Sequence, residues 1–558
     1  MLEGCVPWPE EDAERYKRAG YWRGLTLGEH LDSWVRQYSG RPALAYRGEE
    51  ISYRQMDECA TRLAYRMSKV GMQPYDRVIM QLFNVPELVY FVYACAKIGA
   101  IPICSLPTHR WSEIGYLAGD ARARAHVVPA AGTKDFDPQA FAEEVRTATP
   151  SMEFVFALGG PVQPGVISID EVLSEEIDLE QARADLSGYR PDPMEPGLFQ
   201  LSGGTTGTPK MIPRTHNDYI YNAECAADAM EFDVHSRILP MLPLMHNFPL
   251  VNVLFAVHAR GGAVVLTELF DAEEILKALA ENRATGLGTV PAIMHRLLDL
   301  PEDTRAKYDL SSLKNVYWGG NPLEREIQLR FRETFRCDTD QTYGMAEGLI
   351  CWTRPGDSLE VKLTTQGRPV SSADEVRVVD VNTEADVPVG EVGECWTRGP
   401  YTLRGYFRSP GRNSEVITAE GFYKTGDLVR RDAQGNITYV GRLKDCISRG
   451  GEKINAEEVE GYVVKHPMVK EAAVVAMPDK VMGERVCVFV VPEPGIPATL
   501  EELNRFLLND QRIAKYKLPE RMELIDELPV TKVGKFEKKS LREKIADILR
   551  KERGPGCV

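Results

Sequence analysis

The stretch Leu201-Ser202-Gly203-Gly204-Thr205-Thr206-Gly207-Thr208-Pro209-Lys210 gathers the groups that a polyphosphate needs. Gly203, Gly204 and Gly207 let the backbone turn tightly and bring its N–H groups to a ligand. Ser202, Thr205, Thr206 and Thr208 add hydroxyl donors, and Lys210 adds a positive charge. The pattern is not the nucleotide loop G-x-x-x-x-G-K-[ST], because Pro209 stands where that motif has glycine and Met211 replaces its hydroxyl residue. A lone Gly/Thr run also suits a flexible linker, so its meaning depends on what accompanies it.

Other residues could join that chemistry. His246 and Asn247 stand in the apolar stretch Met241–Phe248, either as hydrogen-bonded core groups or as the polar groups of a pocket. Glu347, in Tyr343-Gly344-Met345-Ala346-Glu347-Gly348, is an exposed turn carboxylate or a ligand for Mg²⁺ beside phosphates. Asp427, closing Tyr423-Lys424-Thr425-Gly426-Asp427, could accept hydrogen bonds from both hydroxyls of a ribose, or form an Asx-type turn. Lys535 follows Gly534 on a loop near the C-terminus, as a mobile charge brought to a reaction centre or as part of a solvated surface.

The elements that position these residues read as α/β. Two amphipathic helical patterns over 29–69 flank a hairpin-like Ala43–Tyr53. Val78–Leu82 reads as a buried strand, followed by a helix from Pro86 to Ile98 and a strand Ile101–Cys104. Pro86 suits a first helical turn, where a missing N–H costs nothing. Strands alternating with helices predict mostly parallel sheets with ligands at the loops after the strands. Lys134–Pro193, rich in Pro, Gly and acid, reads as a variable surface excursion. Ile220, Ala223, Ala227 and Met230 recur at helical spacing, so the Gly/Thr loop is expected to feed a helix opening near Asn217.

Length and composition bound the rest. At 558 residues the chain exceeds one ordinary core. A net charge of −15 argues against a nucleic-acid-binding surface. The 11 cysteines lack any C-x-x-C pair and read as reduced thiols in a cytoplasmic protein. The start Met1–Gly4 shows no signal peptide, and the apolar run Leu88–Cys104, broken by Lys97 and Gly99, is short for a membrane span. Gly441–Ile454 packs charges around Gly450-Gly451 directly after the strand-like Ile437–Val440 and reads as a polar joint that absorbs backbone rotation. Residues 1–441 therefore form the expected large N-terminal α/β body, 442–446 the hinge, and 447–558 a small mobile α+β C-terminal domain. Beyond Gln511, Lys and Arg outnumber Asp and Glu.

Together these stretches resemble, in order and spacing over nearly the whole chain, the adenylate-forming superfamily of acyl-CoA synthetases, adenylation domains and luciferases. Within it they are most similar to stand-alone aryl-acid AMP ligases of the 2,3-dihydroxybenzoate and salicylate kind. Val6-Pro7-Trp8-Pro9 through Tyr21-Trp22, His246–Leu250, Gly344–Leu349 and Arg449–Lys453 carry that likeness. The resemblance implies ATP and Mg²⁺, an aryl carboxylic acid, and a phosphopantetheinylated aryl carrier protein in natural-product or siderophore synthesis, with free CoA as the alternative acceptor. It implies neither nucleic-acid nor membrane partners.

By the same resemblance, Ser202–Thr208 and Lys210 hold phosphates, and Glu347 with Thr205 holds the metal. Gly319, Gly320, Asn321, Tyr343, Gly344 and Met345 border the nucleotide, while Asp427 and Arg442 grip the ribose. Lys535 stabilises the first transition state, His246 closes the acyl pocket, Lys444 is the hinge, and Gly450-Gly451 flank a thiol tunnel. Asn247 faces a substituent ortho to the carboxylate, and Gly320 lies beside the acid as well. The family's pocket pattern, His-Asn-Tyr-Pro-Leu followed by two serines and a proline, is altered here by Phe248 and Asn252. Both changes point away from 2,3-dihydroxybenzoate and toward salicylate, anthranilate or a related acid.

Overall fold

The computed structural model describes all residues except 135, 203–208, 269–270, 321–322, 450–451, 480–481, 512, 514, 531–535 and 554–558. The chain separates into two compact units, Met1–Glu375 with Thr397–Tyr423 and Val376–Trp396 with Lys424–Val558.

The first unit is built on two sheets. A seven-stranded sheet has strands Arg77–Met80, Ile101–Ile103, Ala125–Pro129, Phe154–Leu158, Ile167–Ser168 and Pro196–Leu201 in parallel pairings, with Met211–Thr215 antiparallel at one edge. A nine-stranded sheet runs parallel through its centre, where Asn315–Gly319 pairs with Gly286–Thr289 and Asp338–Gly344. Antiparallel strands close both of its edges. Helix Pro86–Ile98 forms where expected. Pro86 occupies its first turn, Gly99 closes it with φ +71°, and nearly all its side chains are buried. No helix among the described residues is long and apolar enough to cross a membrane.

The structure corrects two expectations. Lys134–Pro193 is not a surface excursion: its Phe154–Leu158 is an interior strand with Val155, Phe156 and Ala157 buried. The Gly/Thr loop does not feed a helix directly. It joins the antiparallel strands Pro196–Leu201 and Met211–Thr215, and only then does helix His216–Ala229 begin. That helix opens with a capping box, Thr215 Oγ1 accepting from the Asp218 N–H and Asp218 from the Thr215 N–H.

Most of a four-stranded sheet, ordered Glu375–Val379, Val392–Arg398, Tyr423–Arg431, Ile437–Arg442, belongs to the second unit. That unit also contains a five-stranded sheet led by the long antiparallel pair Val469–Asp479 and Gly483–Pro492. Helices Ala456–Val463 and Leu500–Asn509 bury Val459, Val463, Leu503 and Leu507 on that sheet.

Candidate active site

The base of the Gly/Thr loop is clamped by two hydrogen bonds. The Ser202 N–H donates to the Lys210 carbonyl at 2.9 Å, and the Lys210 N–H donates to Ser202 Oγ at 3.1 Å. The loop's own Gly203, Gly204, Thr205, Thr206, Gly207 and Thr208 lie outside the described residues, as do Asn321, Gly450, Gly451 and Lys535. Lys210 Nζ lies 5.2 Å from the centre of the Tyr406 ring, a cation–π distance. Burial lowers the Lys210 pKa, Arg412 adds to this, and Glu347 opposes it.

Glu347 stands at the tip of a hairpin between Asp338–Gly344 and the antiparallel strand Ile350–Trp352. Its neighbour Gly348 has φ +148°, and a Cβ there would sit 2.7 Å from the Tyr401 carbonyl oxygen, so only glycine lets the segments approach. Several contacts fix the tip. Leu403 N–H donates to the Glu347 carbonyl at 2.6 Å, Tyr406 OH donates to Glu347 Oε1 at 2.7 Å, and Arg214 Nη1 donates to the Ala346 carbonyl at 2.9 Å. Arg214 is 1% exposed and is paired with buried Asp218 at 2.8 Å. Beneath them Ile212, Leu403, Tyr406, Val416 and Tyr423 form a small apolar cluster against Met345 and Ala346.

Glu347 fits a magnesium ligand. It is a half-buried hard oxygen donor whose only described side-chain partner is a neutral phenol, with no cation within ion-pair reach among the described residues. Among those residues no group of three His, Cys, Asp or Glu side chains could hold a metal by itself. Mg²⁺ is commonly held by one or two carboxylates plus substrate phosphates.

Gly319 ends a strand opposite Thr342, and Gly320 follows it, at the C-terminal ends of adjacent parallel strands, where α/β sheets bind ligands. A Cβ on Gly319 would lie 2.5 Å from Thr342 Cγ2, so the close approach of the strand ends depends on glycine. Tyr343 is buried and Gly344 is exposed.

His246, Asn247, Phe248 and Asn252 come together around a short helix, Asn247–Pro249, that runs into a π-helical turn, Leu250–Phe255. His246 Nδ1 accepts from the Phe248 N–H at 3.3 Å and caps that helix. Asn247 and Asn252 are both buried. Gln200 Nε2 donates to Tyr219 OH, and Tyr219 OH donates to Asn247 Oδ1, each at 3.1 Å. This direction leaves the Asn247 amide NH₂ as the available donor. Asn252 Oδ1 accepts from Trp352 Nε1 at 3.4 Å, and the Phe248 and Trp352 rings lie 5.9 Å apart. Wide turns of the π type recur at functional sites, and Asn252 lies within this one.

In the second unit Asp427 and Arg442 are register partners on neighbouring strands, and Arg442 Nε lies 3.0 Å from Asp427 Oδ1. Asp427 is in a strand, not at the end of a turn. Gly426, at φ +70°, supplies the local kink, and Thr425 Oγ1 accepts from the Asp427 N–H at 3.0 Å. Lys444 sits in the 3₁₀ turn Leu443–Asp445, whose Asp445 pairs with Arg542 at 2.7 Å.

Sequence reasoning missed Tyr406, Arg214, Tyr219 and Trp352. The Thr215-x-x-Asp218 box was a readable signal for the Arg214 segment. The others had none, because an isolated aromatic says nothing of its distant partner.

Comparison with known proteins shows the family. Residues 31–407 match the AMP-binding enzyme family, and residues 458–535 match the AMP-binding enzyme C-terminal domain. The chain is 41% identical over 97% of both lengths to a salicylyl-CoA synthase / salicylate adenylyltransferase from Streptomyces sp. It is 38% identical to the 2,3-dihydroxybenzoate-AMP ligase of Bacillus subtilis (strain 168), over 98% of this chain and 99% of that protein. The apo structure of Mycobacterium smegmatis MbtA superposes with a TM-score of 0.72 at 34% identity, covering 97% of this chain and 99% of that one. The glycine-clamped strand ends, the phenol-held carboxylate and the Asp–Arg pair thus sit in a chain that belongs to the AMP-binding, adenylate-forming enzyme family.

Proposed function

We propose that this enzyme adenylates an ortho-substituted aryl acid with ATP and passes the acyl group to a phosphopantetheine thiol. A carboxylate oxygen of the acid attacks the α-phosphorus, the bond to the β-phosphate bridging oxygen breaks, and pyrophosphate leaves. The thiol then loses its proton, its sulfur attacks the acyl carbon, and AMP departs. The first step needs alignment and charge neutralisation more than covalent help. Ser202–Thr208 with Lys210 would hold the β,γ-phosphates. Gly319–Asn321, Tyr343, Gly344 and Met345 would border adenine, and Asp427 with Arg442 the ribose. Glu347, with Thr205, would hold Mg²⁺, which when bound neutralises phosphate charge. Lys535 is assigned to the developing charge of adenylation and Lys444 to the hinge that removes it, with Gly450-Gly451 beside the thiol path. Lys535→Ala should then depress ATP–pyrophosphate exchange about 10²-fold while sparing thioester formation from supplied aryl-AMP. Lys444→Pro should do the reverse, since proline fixes φ.

The observation that carries the acid assignment is Asn247. With its oxygen occupied by Tyr219, it offers an N–H donor. A donor favours an ortho group that accepts, so hydroxyl ranks above amino and salicylate above anthranilate. ATP–pyrophosphate exchange across salicylate, anthranilate, benzoate and 2,3-dihydroxybenzoate tests this. Salicylate should lead by about tenfold over benzoate, and equal turnover of the two would overturn the assignment. The acceptor has a second reading, because one relative is named both as a CoA synthase and as an adenylyltransferase. Saturation by micromolar free CoA would favour an aryl-CoA ligase, and turnover only with a phosphopantetheinylated carrier would favour the carrier route.

A further inference from the structure

We propose that Tyr406 is a positioning residue that sets the metal carboxylate and the phosphate-loop lysine against each other from opposite parts of one side chain. The proposal rests on the assignment of Glu347 to Mg²⁺ made above. Tyr406 is 3% exposed and reaches three groups from distant parts of the sequence. Its hydroxyl donates to Glu347 Oε1 at 2.7 Å, and it lies 2.9 Å from the hydroxyl of Tyr423. A phenol has one proton, and an ionised carboxylate can only accept. The proton of Tyr406 therefore goes to Glu347, and Tyr423 must donate to Tyr406. The chain of donation Tyr423 to Tyr406 to Glu347 has one direction. It occupies Oε1.

The ring does separate work. Its face receives Lys210 Nζ at 5.2 Å, and its body packs with Ile212, two residues beyond Lys210, and with Met345 and Ala346 beside Glu347. The same side chain thus fixes the rotamer of the carboxylate and provides the platform on which the lysine rests. Neither contact neutralises Glu347, whose charge stays available for a cation.

The two roles separate by substitution. Tyr406→Phe keeps the ring and removes the hydroxyl, whereas Tyr406→Leu removes both. Binding of α,β-methylene-ATP is measured by calorimetry in Mg²⁺ and again in EDTA, so the readout does not depend on turnover. Tyr406→Phe should weaken the Mg²⁺-dependent affinity about tenfold, the order of one hydrogen bond to a charged group, and leave the EDTA affinity unchanged. Tyr406→Leu should weaken both. In a Glu347→Gln background, Tyr406→Phe should add nothing, since the two changes remove one interaction. Mg²⁺-dependent affinity within twofold of the parent for Tyr406→Phe, or an additive loss in the double variant, overturns the inference. If Glu347→Gln alone leaves the Mg²⁺ dependence intact, the metal assignment itself falls. If Glu347→Gln abolishes it and Tyr406→Phe does nothing, only the role of Tyr406 falls. Should Tyr406→Phe fail to fold, Tyr423→Phe probes the same chain of donors. A severalfold loss confined to the Mg²⁺ measurement supports the proposal, and no change overturns it.

Discussion

Glu347, at a hairpin tip of the first unit, and Asp427, inside a strand of the second, are both carboxylates held by hydrogen bonds or an ion pair, yet their partners differ in kind. Glu347 receives neutral donors, a phenol on its side chain and a backbone N–H on its carbonyl. Asp427 is buried against a guanidinium, Arg442 Nε at 3.0 Å. A neutral donor fixes a carboxylate without cancelling its charge, while a guanidinium both fixes and cancels. In the proposed function the first arrangement serves a cation and the second the neutral hydroxyls of a sugar. Two residues of one charge type are thus assigned opposite tasks by the company each keeps.

The sharpest break of this contrast is Glu347→Gln, which keeps shape and removes charge. ATP–pyrophosphate exchange should fall about 10²-fold or more, with the loss concentrated at limiting Mg²⁺. Asp427→Asn should act less and differently. The KM for ATP should rise about tenfold while the Mg²⁺ requirement stays that of the parent. An equal shift in Mg²⁺ requirement for both variants would erase the distinction. Asn252→Ser is a control that touches neither carboxylate's hydrogen bonds. Losing the amide oxygen that takes the Trp352 indole N–H should change the ratio of salicylate to 2,3-dihydroxybenzoate turnover by about tenfold, with ATP and Mg²⁺ parameters unmoved.

An effect on stability, with no effect on turnover, is expected behind the Glu347 hairpin. Burial raises the Asp374 carboxyl to about 8, with the Tyr401 hydroxyl donating to it and opposing the shift. The folded pKa lies above the unfolded one, so the stabilising contribution is complete below pH 3.8 and is lost as pH rises toward 8. Asp374→Asn should flatten that decline, gaining about 3–4 kcal/mol at pH 8 relative to pH 5 in urea unfolding, since each pH unit between the two pKa values costs about 1.4 kcal/mol. A parallel pH profile for parent and variant would show that Asp374 ionises normally.

Much of the first unit was legible because its signals are local. Helix Pro86–Ile98 announces its start by proline and its end by glycine, and the hairpin Pro42–Ser52 its turn by Gly48. The strand Met211–Thr215 was not legible, since Pro213 and Arg214 interrupt the apolar alternation that marks a strand. Arg214 is buried only because Asp218, Asn222 and the Ala346 carbonyl satisfy it. Glu347 and Asp427 could be nominated from residue type, but not their partners. Tyr406 lies 59 positions from Glu347, and nothing in the sequence around Gly405-Tyr406-Phe407 points across that distance.

The π-helical turn Leu250–Phe255 has a consequence for anyone redesigning this pocket. A wide turn is an α-helix carrying one residue too many, and the surplus residue is taken up as a local bulge in the wall. Deleting one position would return the segment to ordinary pitch and move the residues of the turn, Asn252 among them, by one place along it. Transplanting an acid-binding segment from a relative therefore requires matching insertion state before matching residues, and point substitution at Asn252 is the safer route to a new substrate.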